Sequence, residues 1–202
     1  AKFILQWYEV DNSLILKNDK VNFKYTLHNK GGEFRKWAGN WESILKYSDS
    51  SIALMSNNLG FRHDGKEFYF QEGITWSFVS SSNFGVRYTP KGFLFDVGGS
   101  STFPKENEIF YITAFLISKI AFNMLKIVAP TINFQVGDLK ALPIIFPKQE
   151  SIKQQIDTLT GECIDISKEE WDSRETSWDF TASPLLIENG KLRIENGKIE
   201  DA

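Results

Sequence analysis

The stretch IFYITAFLISKIAFNMLKIVA, residues 109 to 129, constrains the fold more than any other part of the sequence. It is long enough to cross a bilayer, but Lys119, Asn123 and Lys126 interrupt it, and each is costly near a bilayer centre. The expectation is instead a helix over about 107 to 128 in a soluble core, apolar on most of its circumference and therefore central. Pro104, Glu106 and Glu108 suit its start, where negative charge complements the helix dipole, and Pro130 ends it.

The run TINFQVGDLKALPIIFP (131 to 147) reads as a strand, a Gly-Asp turn, one helical turn and a buried strand bounded by prolines. In that reading Gly137 supplies the turn, Asp138 caps the helical turn, and Pro143 with Pro147 bounds the last strand. Upstream, KEFYF, ITWSFVSS, FGVRYT and GFLFDV are short aromatic or β-branched runs separated by Gly, Pro, Asn and Ser, the signature of strands and turns. VNFKYTL and SILKY read as two earlier strands, and residues 49 to 67 as a polar insertion with one helix. After Pro147, Ile152, Ile156, Leu159 and Cys163 recur at helical spacing. WDSRETSWDF follows as a short helix or an extended clasp. The expected class is α+β: a twisted, mostly antiparallel sheet packed on a central apolar helix, with a helical C-terminal segment. The expected divisions are 1–147, 148–186 and a polar tail, 187–202. That tail repeats IENGKLR as IENGKIE, too few heptads for a coiled coil.

With 42 % hydrophobic residues, 6 Trp and 17 Phe, the chain can build a substantial core. A lone cysteine, Cys163, excludes an internal disulfide and fits a cytoplasmic location. His28 and His63 lie far apart and in no metal-ligand spacing, and no metal is expected. The start at Ala1 reads as a piece of something longer. Residues 1 to 147 carry 16 Lys and Arg against 13 Asp and Glu, whereas 148 to 202 carry 7 against 13. A basic body with an acidic tail permits contact with a polyanion.

Catalytic patterns are missing. GGEF and VGGSS are glycine pairs without nucleotide-loop spacing. No G-x-S-x-G elbow accompanies the two histidines. DGK (64 to 66) and DLK (138 to 140) match a short nuclease string that arises readily by chance. Basic residues interleaved with aromatics are more suggestive. Lys30, Arg35 and Lys36 lie beside Phe34 and Trp37. Arg62, His63 and Lys66 share one loop, and Ser81, Arg87 and Lys91 share another stretch with Tyr88. Such groups hold phosphates and read base edges; equally, they are what solvated loops with inward-turned aromatics look like.

The segment ITAFLISKIAFNMLKIVAPTINFQVGDLKALPIIFP resembles the closing element of target recognition domains in DNA methyltransferases and type I specificity subunits. The matching positions are Leu116, Ser118, Lys119, Asn133, Gly137, Asp138, Leu139, Leu142 and Pro143. NKGGEFRKWAGN, EGITWSFVSSSNFGVRYTPKGFLFDVGGSSTFP and SKEEWDSRETSWDF extend the likeness to the C-terminal half of PglX-type adenine-specific DNA methyltransferases of BREX phage-defence systems, relatives of fused restriction-modification enzymes. The resemblance covers residues 2 to 186. It implies the DNA-recognition fragment of an S-adenosylmethionine-dependent N6-adenine methyltransferase in a phage-defence or restriction-modification system. The Asn/Asp-Pro-Pro-aromatic and cofactor-binding motifs of such enzymes would lie upstream, since the chain has no Pro-Pro dipeptide. No catalytic residue and no cofactor are expected within the fragment itself.

The implied partners are double-stranded DNA and an upstream methyltransferase domain of the same parent, with other defence-system proteins as further candidates and no membrane. On this reading Lys30, Lys36 and Lys91 position phosphates, and Arg35, Arg62, His63, Ser81 and Arg87 contact base edges, with Lys66 beside them. The insertion 49 to 67, where the resemblance is weakest, is the expected place for sequence reading. Two rivals are a separate, non-enzymatic specificity subunit, against which ETSWDF argues, and a protein-docking module of a defence complex.

Overall fold

The computed structural model describes residues 2–16, 23–80, 83–129 and 131–186. Among these residues seven strands form two sheets: β1 (Ile4–Gln6), β2 (Tyr25–Asn29), β3 (Ser43–Lys46), β4 (Gly73–Ser77), β5 (Val86–Thr89), β6 (Phe93–Phe95) and β7 (Gly99–Thr102). The first sheet runs β1-β3-β2-β6 and the second β5-β4-β7. All pairings are antiparallel except β2 with β6. The described residues also form the α-helices α1 (Asp49–Ser56), α2 (Ile109–Ile117), α3 (Lys119–Val128), α4 (Val136–Lys140) and α5 (Glu150–Asp172). The class is α+β, with two open sheets where the sequence suggests one.

Each sheet has its own core. Ile74, Trp76 and Val86 of the second sheet pack with Leu116 and Leu125 of α2 and α3. Trp76 donates its indole N–H to the Phe134 carbonyl at 2.8 Å, satisfying the polar handle of a fully buried ring. Ile44 and Phe93 of the first sheet pack with Ile164 and Trp171 of α5, and Tyr88 and Phe110 touch both cores. The two glycine pairs, unexplained as nucleotide loops, cross where the sheets meet. A Cβ on Gly99 would collide with the Asn29 carbonyl, and one on Gly31 (φ 89°) with the carbonyl of Gly98. Backbone passes backbone at a separation that no side chain allows.

Three expectations are corrected. The helix expected over 107 to 128 is broken at Ser118 and bent by 72°. Ser118 accepts a hydrogen bond from the Ala121 N–H at 3.1 Å and so starts a second helix, of which only Ala121 and Leu125 are buried. No single helix among the described residues is long and apolar enough to cross a membrane. KEFYF forms a 3-10 turn (Lys66–Phe68) rather than a strand. Its rings join an aromatic cluster, with Phe68 stacked on Phe103 at 5.0 Å and Tyr69 edge-on to Phe95 at 5.5 Å. Residues 143 to 147 form no strand, and Ile145 is 79 % exposed.

The Gly-Asp motif also differs in detail. Gly137 and Asp138 lie inside α4, and Gly137 does not adopt a positive φ. Gln135 occupies the cap, and Asp138, three residues on, accepts the Gln135 N–H at 2.9 Å, closing a capping box. Pro143 is exposed just beyond the helix. The repeat tail, 187–202, lies outside the described residues.

Candidate nucleic-acid interface

The polar residues singled out in the sequence fall into two groups. The first group faces a cleft of about 620 Å³ between the loop at 60–64, the end of β6, and the first turn of α4. Arg62 and His63 stand on its rim, both exposed. His63 packs edge-on to Phe61 at 4.7 Å, and Arg62 lies 3.9 Å from Asp64. Lys66 is exposed one short turn later. Lys30 reaches the same region: its ammonium is 2.8 Å from an Asp96 oxygen, and Asp96 lines the cleft. Much of the wall is aromatic or apolar, with Tyr47, Tyr69, Phe95 and Met55 among the lining residues, beside the polar His28, Ser100, Ser101 and Gln135. An exposed donor rim over an aromatic floor can hydrogen-bond base edges and stack against rings.

His28 sits in the cleft wall from the middle of β2, 2 % exposed. Burial pulls its pKa down to about 4, partly opposed by Asp96, so the ring is neutral at pH 7. Its Nε2 is 3.8 Å from Asp96 Oδ2, too far for a hydrogen bond, and Nδ1 has no partner among the described residues. The two histidines, 35 positions apart in sequence, thus line one cleft. Among the described residues no three His, Cys, Asp or Glu side chains are grouped so as to hold a metal ion.

Of the others, Arg35 and Arg87 are engaged or buried within the fold, while Lys36 contributes only its backbone. Arg35 forms an ion pair with Glu170 and lies over the Trp171 ring at 5.0 Å, its side chain 15 % exposed. That contact holds the Glu170 carboxyl below the usual carboxylate range, with Arg174 adding to it. The Lys36 carbonyl accepts the Ser167 hydroxyl at 3.1 Å, which ties its loop to α5. Arg87 is 2 % exposed on β5, so the base-edge role expected of it is closed by burial. Desolvation lowers its pKa to about 10, with Glu42 opposing, and it remains charged at pH 7. Lys91 stands apart, exposed in the turn between β5 and β6. Ser81 lies outside the described residues.

Sequence reading missed the contribution of His28, Asp96 and Gln135 to the cleft. The one available signal was a histidine within a short strand-like run. Gln135, Val136 and Gly137 line the cleft as well, so the Gly-Asp corner is also one of its walls.

Comparison with known proteins adds to this geometry. No family model matches the sequence. The adenine-specific methyltransferase BrxX of Escherichia coli O9:H4 (strain HS) is 38 % identical over 193 residues, covering 94 % of this chain and 15 % of BrxX. The chain is a relative of one segment of the PglX-type adenine-specific methyltransferases. The PglX of Lacticaseibacillus casei (strain Zhang) is 37 % identical over 202 aligned residues, 92 % of this chain and 16 % of that protein. The chain thus spans about one-sixth of the length of the PglX-type proteins it matches.

Proposed function

We propose that this chain is the DNA-recognition segment of an adenine-specific methyltransferase of a BREX-type defence system, and that the rim of the cleft reads duplex sequence. The observation that carries the reading is the pairing of PglX-type similarity along nearly the whole chain with an exposed Arg62–His63 rim over an aromatic floor. Arg62 is suited to a guanine edge, where a guanidinium pairs bidentately, and Lys66 to a flanking phosphate, whereas Lys30 is already paired with Asp96. Methyl transfer from S-adenosylmethionine and extrusion of the target adenine belong, in this reading, to another part of the parent protein. Its location would be the cytoplasm, where the DNA is.

A docking role is the second reading. Ile120, Ile127, Ile132 and Ile145 are each more than half exposed on α3 and around α4, which suits a surface covered by another protein or another part of the parent.

Selection of bound duplexes from a random library, with the wild-type chain and with Arg62→Ala/His63→Ala, separates the two. The DNA reading expects an enriched motif for wild type that the double variant fails to enrich. Wild type enriching nothing, at low salt, would leave docking as the better account.

A further inference from the structure

We infer that the outward face of α3, carrying Lys119, Asn123 and Lys126, is a second DNA contact that grips duplex phosphates; this rests on the DNA-recognition reading above. The 72° bend at Ser118 swings α3 away from the line of α2. Where α2 buries Ile109, Thr113 and Leu116, α3 buries only Ala121 and Leu125. The face opposite those two residues is left to solvent.

Lys119, Asn123 and Lys126 are spaced four and three residues apart, so they form one stripe. All three are exposed. The rise from Lys119 to Lys126 is about 10 Å at 1.5 Å per residue, and the flexible lysine stems let the two ammonium groups adjust around that spacing. Two ammonium groups at that separation can each meet a phosphate of the same strand. Asn123 between them supplies both a donor and an acceptor.

The charge pattern points to an anionic partner. There is no acidic residue from Ile109 to Gly137, and neither lysine has a carboxylate within ion-pair distance among the described residues. Lys119 occupies the first turn of α3, where the helix dipole disfavours a cation, so helix stability does not account for it. Lys126 lies 4.3 Å over the Phe122 ring of its own helix, which holds the ammonium in place without neutralising it. α3 packs on α4, and the first turn of α4 lines the cleft, so the stripe belongs to an element one step removed from the proposed reading rim.

The test is fluorescence anisotropy of the chain with a labelled duplex across a salt series, comparing wild type with Lys119→Gln/Lys126→Gln and Lys119→Arg/Lys126→Arg. Losing two phosphate contacts should make the slope of log affinity against log salt shallower by about 2 and weaken binding at the lowest salt by ~tenfold or more, irrespective of duplex sequence. The arginine pair should keep the wild-type slope, and neither pair should move the unfolding midpoint, because both side chains are exposed. A glutamine pair that leaves the slope unchanged while wild type binds would overturn the inference; the cleft reading would stand, and the exposed Ile120 and Ile127 would mark the face for a protein. Wild type without salt-dependent binding would overturn both.

Discussion

Two short runs, Phe34-Arg35-Lys36 and Phe61-Arg62-His63, have nearly the same chemistry and opposite surroundings. Arg35 is paired with Glu170 and stacked on Trp171, and its loop is tied to α5 by Ser167. Arg62 is 80 % exposed at the side chain, with one carboxylate loosely nearby. The difference comes from what the chain supplies elsewhere. Residues 150 to 186 carry 9 acidic residues against 3 basic, so the C-terminal segment brings counter-charges to Arg35 from 135 positions away. Among the described residues, no such segment pairs with the loop at 57–67. A basic residue is available for nucleic acid where the fold does not use it, and composition around the residue does not tell which case holds.

The comparison can be broken most severely at Trp171, the residue through which α5 seals the first core. It is 5 % exposed and lies beneath both Arg35 and Gly39, where a Cβ on the glycine would press against its ring. Trp171→Ala should cost about 3–5 kcal/mol in urea unfolding, the range for deleting a large buried aromatic. A loss under about 1 kcal/mol would mean that α5 does not clamp this side.

A pH effect comes next and belongs to the cleft side. The folded pKa of His28, about 4, is below the unfolded value of about 6.5. The unfolded chain therefore takes up the proton first as pH falls. The stability linked to neutral His28 is complete above pH 6.5 and is lost progressively between 6.5 and 4, up to on the order of 3 kcal/mol. Thermal unfolding at pH 7 and pH 4.5 should show a smaller drop for His28→Gln than for wild type. Equal drops would contradict the burial argument.

The smallest effect sharpens the contrast directly. Arg35→Met should cost about 1 kcal/mol of stability, from the lost ion pair and ring contact, and leave DNA binding unchanged. Arg62→Met should do the reverse. A shift of DNA affinity in the Arg35 variant at equal foldedness would erase the distinction between the two runs.

Much of the fold is legible in the sequence, for identifiable reasons. Strands such as ITWSF and FGVRYT announce themselves through β-branched and aromatic residues between turn formers, and α5 through its spaced isoleucines. The break at Ser118 is less visible. Ser118 is itself a good N-cap, but the apolar run on both sides hides the change of direction, and the polar stripe of α3 reads as an interruption of a buried helix. KEFYF fails as a strand because its aromatics find ring partners, Phe103 and Phe95, that local periodicity cannot reveal. In the cleft, Arg62 and His63 could be named from their loop. His28 and Asp96 could not, since they meet the rim only through the parallel pairing of β2 with β6. Arg87 illustrates the opposite failure: on a strand one residue in two faces inward, and burial there depends on the partner sheet.

The central claim is that the loop bearing Arg62 and His63 selects the methylated sequence. Its most direct test is methylome sequencing of cells carrying the full-length parent gene, intact or with residues 57–67 replaced by the corresponding loop of the Escherichia coli BrxX. The account predicts that one N6-methyladenine motif is lost and another gained, with methylation still extensive at the new sites. The original motif, fully methylated in the exchanged strain, would contradict it.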